Sequence, residues 1–206
     1  MLIAHFPGGL ALTEYLFKEQ EMVQTVQQPT LFTWVVAPTV IYGRHQSAEV
    51  EVNENYCREH GIAVVQRKSG GGCVYADEGN LMISFISPST HSEQVFAQFL
   101  KMIAEALQAK GLPAVTTAHN DILVDGRKVS GCACFTTPTG TIVHGTLLYD
   151  VNLEAMLAAL TPGTDKLAKH GVASVRQRVA NLKELTTAFD DIQALRAYIE
   201  SFVEKL

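Results

Sequence analysis

Between residues 121 and 149 the chain carries three strand-forming stretches separated only by tight-turn signals. Asp121–Val124 and Arg127–Phe135 flank Asp125-Gly126, a dipeptide suited to a two-residue type I′ turn, which needs positive φ at both positions. Pro138-Thr139-Gly140 then turns the chain into Thr141–Tyr149. Strands joined this closely must pair antiparallel, because parallel neighbours need a crossover of a dozen residues or more. A doubly wound parallel sheet is therefore excluded, and an α+β class is expected.

The rest of the pattern fills in around this hairpin series. Leu12, Tyr15, Leu16, Glu19 and Val23 recur at three and four, which predicts a helix from Leu10 to about Gln27, ended by Pro29. Thr30–Val36, Val40-Ile41-Tyr42, Ile62–Val65 and Leu81–Ile86 are rich in β-formers and read as strands. Asn53 caps a short helix through Arg58, stopped by Gly61. Further helices are expected over Ser92–Lys110, Leu153–Leu160 and about Asp191–Lys205. Residues 161–185 are polar with weak periodicity, which suggests a long functional loop or a broken helix. With no repeat or linker, residues 1–206 are expected to form one domain.

Composition narrows the function classes. A net charge of −5 argues against a general nucleic-acid binder, which needs a basic surface to neutralise phosphates. No apolar run approaches membrane-spanning length, and the N-terminus lacks the basic start of a signal peptide. The four cysteines, at 57, 73, 132 and 134, match no zinc framework and read as free thiols in a reducing cytoplasm.

Four blocks hold residue types suited to chemistry. The first is Gln66-Arg67-Lys68-Ser69-Gly70-Gly71-Gly72-Cys73-Val74-Tyr75, followed by Asp77, Gly79 and Asn80. Three successive glycines cost backbone entropy, and they make sense where backbone passes close to a ligand or turns through positive φ. Their N–H groups suit an anion, with Arg67 and Lys68 alongside. The spacing is neither a P-loop nor a dinucleotide fingerprint. The second block is Asn120-Asp121-Ile122-Leu123-Val124 with Gly126-Arg127-Lys128-Val129-Ser130-Gly131. Strand alternation puts Lys128 on one face with Ser130, opposite Val129. A lysine there either sits at an exposed edge or meets phosphate or carboxylate oxygens, since an unpaired buried ammonium is costly. Asp121 is either its ion-pair partner or a magnesium ligand. The third block is His144-Gly145-Thr146, a small residue inside an apolar strand. The fourth runs from Lys166 to Leu182 with Lys166, Lys169, Arg176 and Arg178, and alone it reads as a solvated basic segment.

In this order, these blocks resemble the lipoate–protein ligase A family. The likeness takes in APTVIYGRHQ (37–46), RKSGGGCVYADEGN (67–80), NDILVDGRKVSG (120–131), HGTLLYDVNL (144–153) and KLAKHGVASVRQRVANL (166–182). It implies a biotin/lipoyl-ligase-like α+β domain with a mixed, mainly antiparallel sheet flanked by helices. It also implies ATP-dependent activation of lipoate or octanoate to an acyl-adenylate, with Mg²⁺, then transfer to a lysine of a lipoyl-domain acceptor. By the resemblance Lys128 is catalytic, and Arg67, Ser69, Gly70, Gly71, Gly72, His144 and Gly145 contact the acyl group. Val74, Tyr75, Asn80, Asn120, Asp121 and Lys128 then fall on the nucleotide side, with Asp121 toward the metal. Residues 161–182 match a loop that orders over the intermediate.

The chain departs from the family pattern at Gln66, where an arginine is frequent, and at Cys73, where a smaller residue is frequent. It also ends before the C-terminal domain of the longest members, so a separate accessory-domain subunit is an expected partner. Two other readings are a cysteine-dependent octanoyl or lipoyl transferase of the same fold and a non-catalytic lipoyl-binding subunit. Intact Lys128, Asp121 and the glycine block weigh against the second. Cys73, Cys132 and Cys134 otherwise read as small apolar fillers.

Overall fold

The computed structural model describes residues 1–118, 120–160 and 178–206. A seven-stranded sheet is its centre, built from β1 (Leu2–Ile3), β2 (Thr30–Trp34), β6 (Asn80–Ser87), β7 (Ala114–Thr116), β8 (Asp121–Val124), β9 (Arg127–Thr137) and β10 (Gly140–Leu148). The strand order is β1-β2-β6-β10-β9-β8-β7. Only β1 and β2 pair parallel in it; every other neighbouring pair is antiparallel. A second sheet, ordered β4-β3-β5, holds β3 (Thr39–Tyr42), β4 (Ala63–Gln66) and β5 (Val74–Ala76). Its β3–β4 pair is parallel and its β3–β5 pair antiparallel. The architecture is thus α+β, as the hairpin series predicts, with the mixed, mainly antiparallel sheets that the family resemblance implies.

Among the described residues the helices are α1 (Leu12–Thr25), α2 (Ala48–Glu51), α3 (Glu54–Glu59), α4 (Ser92–Gln108), α5 (Leu153–Ala159), α6 (Leu182–Leu185) and α7 (Ile192–Glu204). Side-chain oxygens of Asn53, Asn152 and Asp191 accept from first-turn N–H groups of α3, α5 and α7, which fixes where those helices begin. Alternation along the central strands sorts the core onto two faces. Leu81, Ile83 and Phe85 of β6 pack with Val143 and Leu147 of β10 against α4 and α7. Met82 and Ile86, with Phe32, Trp34 and Ile142, pack on the other face with Leu12, Tyr15 and Val23 of α1. A third cluster lies among the small sheet, α3 and α5, and includes Val40, Cys57, Tyr75 and Leu148.

The Asp125-Gly126 turn has φ of 49° and 74°, the two positive values that a type I′ turn demands. Strands β1, β5 and β7 were not expected from the sequence pattern. Each has two or three residues, too short to show a period of two. The expected loop over 161–185 lies mostly outside the described residues; its last part, Leu182–Leu185, is helix α6.

Candidate active site

The alternation read from Arg127 onward breaks in the structure. Ile122 pairs with Ser130 while its neighbour Leu123 pairs with Lys128, so Val129 is an extra residue in β9, a β-bulge. Val129 and Ser130 are both buried, at 0% and 1% exposure. Lys128 therefore shares its face with Gly131 rather than with Ser130, contrary to the sequence reading. The bulge aims the lysine, and Gly131 makes room for it. A Cβ on Gly131 would stand 3.0 Å from Lys128 Cε and 3.1 Å from Nζ. From the adjacent strand, Asp121 Oδ1 accepts from Lys128 Nζ at 2.8 Å. Both side chains keep solvent access, so this is a poised ion pair at a rim rather than a sealed one.

Between β4 and β5 the glycine block forms a loop around a buried guanidinium. Arg67 donates to the carbonyls of Ile41 at 3.0 Å, Gly70 at 2.8 Å and Gly72 at 2.6 Å. Burial pulls its pKa below the usual arginine value. The sequence suggested Arg67 as an anion contact; its donors are instead occupied in holding the loop. Gly71 adopts φ of +90°, and its carbonyl lies 2.3 Å from where a Cβ on Gly43 would stand. Among the described residues no acceptor engages the N–H groups of Gly70, Gly71 or Gly72. The loop thus keeps three backbone donors open, and Gly71 and Gly72 share a cavity with the lysine.

These elements enclose a cavity of about 220 Å³. Leu12, Leu16, Trp34, Ile41, Val74 and Met82 supply an apolar wall, while Lys128, Asp121 and Asn120 supply a polar one. Arg67, Gly71, Gly72, Cys73, His144 and Gly145 complete the set of sequence candidates that the fold brings together here. Ser69 stands behind His144, its Oγ 2.7 Å from His144 Nε2. Tyr75 is not part of the lining; it is buried in the third cluster, on the face of β5 opposite Val74, and hydrogen-bonds Asp77. Asn80 is also outside the lining, 1% exposed, and its Oδ1 is a buried oxygen without a hydrogen-bond partner. Lys166, Lys169 and Arg176 fall outside the described residues.

Gly145 faces the α4 side, where an added Cβ would lie 2.9 Å from Phe99 ring atoms and from Cys132 Sγ. Its smallness serves core packing as well as the cavity. Sequence reasoning missed Trp34 and Met82, which are indistinguishable from core residues before the fold is known. It also missed Glu19, for which a signal existed: a carboxylate on the apolar stripe of α1. Glu19 is 3% exposed, and its Oε2 lies 3.3 Å from His144 Nδ1.

The thiols are poor nucleophiles as placed. Burial pushes Cys73 up to about 11 and Cys132 up to about 12, the reverse of what a reactive cysteine needs. Among the described residues no three His, Cys, Asp or Glu gather as a metal cluster, and no helix is long and apolar enough to cross a membrane.

A bulge-aimed lysine, a glycine loop with open N–H groups and a cavity with one apolar wall sit together on a fold of the biotin/lipoyl-ligase architecture. The chain belongs to the lipoyl protein ligase A/B catalytic domain family, whose model matches residues 8–203. It is 40% identical over 177 residues to the lipoate–protein ligase LplJ of Bacillus subtilis, covering 85% of this chain and 52% of that protein. The chain thus spans about half the length of the curated relatives it matches. Its fold superposes with a TM-score of 0.84 on a bi-partite lipoate protein ligase of Thermoplasma acidophilum, solved in a study of that ligase and its E2 lipoyl domain. That pair is 25% identical, over 98% of this chain and 84% of the other. A lipoate–protein ligase A solved with bound ATP is 24% identical, with a TM-score of 0.79 over 97% of this chain and 85% of that one.

Proposed function

We propose that this chain is the catalytic unit of a lipoate–protein ligase. It activates lipoate, or octanoate, with ATP to an acyl-adenylate and passes the acyl group to a lysine of a lipoyl carrier domain. The observation that carries the reading is the Lys128–Asp121 pair at 2.8 Å on the polar wall of a cavity whose other wall is apolar. The family, the named relatives and the ATP held by a structural neighbour support it.

The chemistry suits these residue types. A carboxylate is a poor acyl donor, and its attack on a phosphate brings two anions together. Lys128 has three N–H donors, of which Asp121 takes one, so two remain for carboxylate and phosphate oxygens. The open N–H groups of Gly70, Gly71 and Gly72 add fixed dipoles without adding bulk. In the second step the acceptor amine attacks the mixed anhydride. Lys128 then steadies the oxyanion while AMP departs, and no covalent enzyme intermediate is needed. Ser69, His144 and Gly145 fall to the acyl side of this reading; Val74, Asn80 and Asn120 fall to the nucleotide side. Tyr75 supports from the third cluster rather than by contact.

Mg²⁺ shared with nucleotide phosphates needs only one or two protein carboxylates. Asp121 fits that role, and bound there the ion would neutralise phosphate charge. The acceptor is a lipoyl domain, and a separate accessory subunit is part of the proposal, in keeping with the bi-partite Thermoplasma ligase. Free thiols suit a cytoplasmic setting. The raised thiol pKa values weigh against a cysteine-dependent transferase.

The test is lipoate-dependent ATP–pyrophosphate exchange with Mg²⁺. Exchange that disappears in Lys128→Ala supports activation by this chain. Its absence in the unaltered protein sinks self-sufficient activation.

A further inference from the structure

Behind the Lys128 cavity lies a second one of about 260 Å³, lined by Ser69, His144 and Glu19 with Leu16, Phe17 and Phe135. Ser69 and Glu19 are 1% and 3% exposed. A continuous hydrogen-bonded chain leads from Trp34, on the wall of the Lys128 cavity, to Glu19, His144 and Ser69 in this one. Trp34 Nε1 donates to Ser84 Oγ at 2.8 Å, and Ser84 Oγ donates to Glu19 Oε1 at 2.6 Å. Glu19 Oε2 lies 3.3 Å from His144 Nδ1, and His144 Nε2 lies 2.7 Å from Ser69 Oγ.

The direction of the first two bonds follows from the one end that has no choice. An indole nitrogen only donates, so Ser84 must give its own proton to Glu19. With Glu19 taken as a carboxylate accepting on its other oxygen too, the imidazole proton is assigned to Nδ1. In that tautomer Nε2 carries the lone pair and faces the Ser69 hydroxyl. This is the arrangement of a nucleophile, a general base and a carboxylate that orients the base. The next residues after Ser69 are glycines whose N–H groups are open among the described residues, and Gly71 and Gly72 line the neighbouring Lys128 cavity.

We propose that Ser69, His144 and Glu19 form a serine nucleophile site that hydrolyses activated acyl esters and thioesters without ATP. This activity goes beyond the ligase reading and does not pass through Lys128. Ser69 Oγ attacks the acyl carbonyl carbon as its proton passes to His144 Nε2. The bond to the leaving alcohol or thiol breaks, and His144 returns that proton to the leaving group. Water then attacks the acyl-serine, giving a proton to His144, which restores it to Ser69 as the free acid leaves. Glu19 acts as a positioning residue. Phe17, 60% exposed, gives the opening an apolar edge suited to a short or medium acyl chain.

The experiment uses the whole chain without ATP or Mg²⁺, with p-nitrophenyl octanoate as substrate and a fluorophosphonate as covalent probe. Hydrolysis and a single adduct on the Ser69 peptide by mass spectrometry are expected. Ser69→Ala should lower kcat/KM for the ester by roughly 100-fold or more, while Glu19→Gln slows labelling of an intact Ser69. Retained thermal midpoints separate these losses from unfolding. No adduct at Ser69, or ester hydrolysis unchanged in Ser69→Ala, overturns the proposal. Pyrophosphate exchange on the same preparation keeps the two readings apart. Exchange without hydrolysis sinks the serine site alone, and hydrolysis without exchange sinks self-sufficient activation while leaving the serine site standing.

Discussion

Gly131→Ala isolates the position of Lys128 from the stability of the fold. The added Cβ would stand 3.0 Å from Lys128 Cε and 3.1 Å from Nζ. Ordinary carbon contacts lie at roughly 3.5–4.0 Å, so the lysine tip must retreat by about 0.5–1 Å. The tip is the far end of a flexible, partly exposed chain, and Gly131 does not use positive φ, so the backbone accommodates the methyl. A methyl at a compatible glycine also restricts the unfolded chain, worth about 0.4–1 kcal/mol in favour of folding. The thermal midpoint should therefore hold or rise slightly. The lysine will no longer meet Asp121 at 2.8 Å. A misplacement near 1 Å costs on the order of 100-fold in rate, so lipoate-dependent pyrophosphate exchange should fall about 10- to 100-fold. Each factor of ten corresponds to about 1.4 kcal/mol of lost transition-state stabilisation. The assay pairs exchange kinetics with thermal melts of the same preparation. Unchanged exchange would refute the idea that Gly131 sets the lysine's place, and so would a loss of activity tracking a fall in the midpoint.

Gly145→Ala should behave in the opposite way. Its methyl would meet Phe99 and Cys132 Sγ at 2.9 Å, packed atoms that cannot retreat cheaply. Overpacking of this kind costs about 1–3 kcal/mol, readable as a lower urea midpoint at constant slope; an unchanged midpoint would show that α4 gives way. Cys73, pushed up to about 11 by burial, should alkylate slowly with iodoacetamide at pH 8. The rate should climb about 10-fold per pH unit toward that value, and rapid labelling at pH 7, read by peptide mass, would contradict the burial argument.

The antiparallel hairpin series was legible because its signals are local. Asp125-Gly126 states its own turn, and alternating residues state their own faces. The glycine block and the Lys128 block were legible as unusual chemistry for the same reason, since few roles justify three glycines or a strand lysine. The cap residue Asn53 announced its helix within a single turn.

What lay beyond the sequence depends on residues far apart in the chain. The bulge at Val129 is visible only when β8 is laid beside β9, because it is a mismatch between two strands and not a property of either. It overturned the simple alternation and gave Lys128 the face of Gly131. The employment of Arg67 likewise needed the folded loop, whose carbonyls take up the guanidinium donors. The cavity walls come from α1, β2, β3 and β6 as much as from the motif strands. Trp34, Met82 and Leu16 became site residues only when two sheets closed around them. Glu19 reached His144 across 125 positions. Local propensity and patterning thus determined the elements and the chemical vocabulary, since both act over a few residues. Pairing register and packing decided which of those residues meet, because contacts between distant segments are set by the whole core.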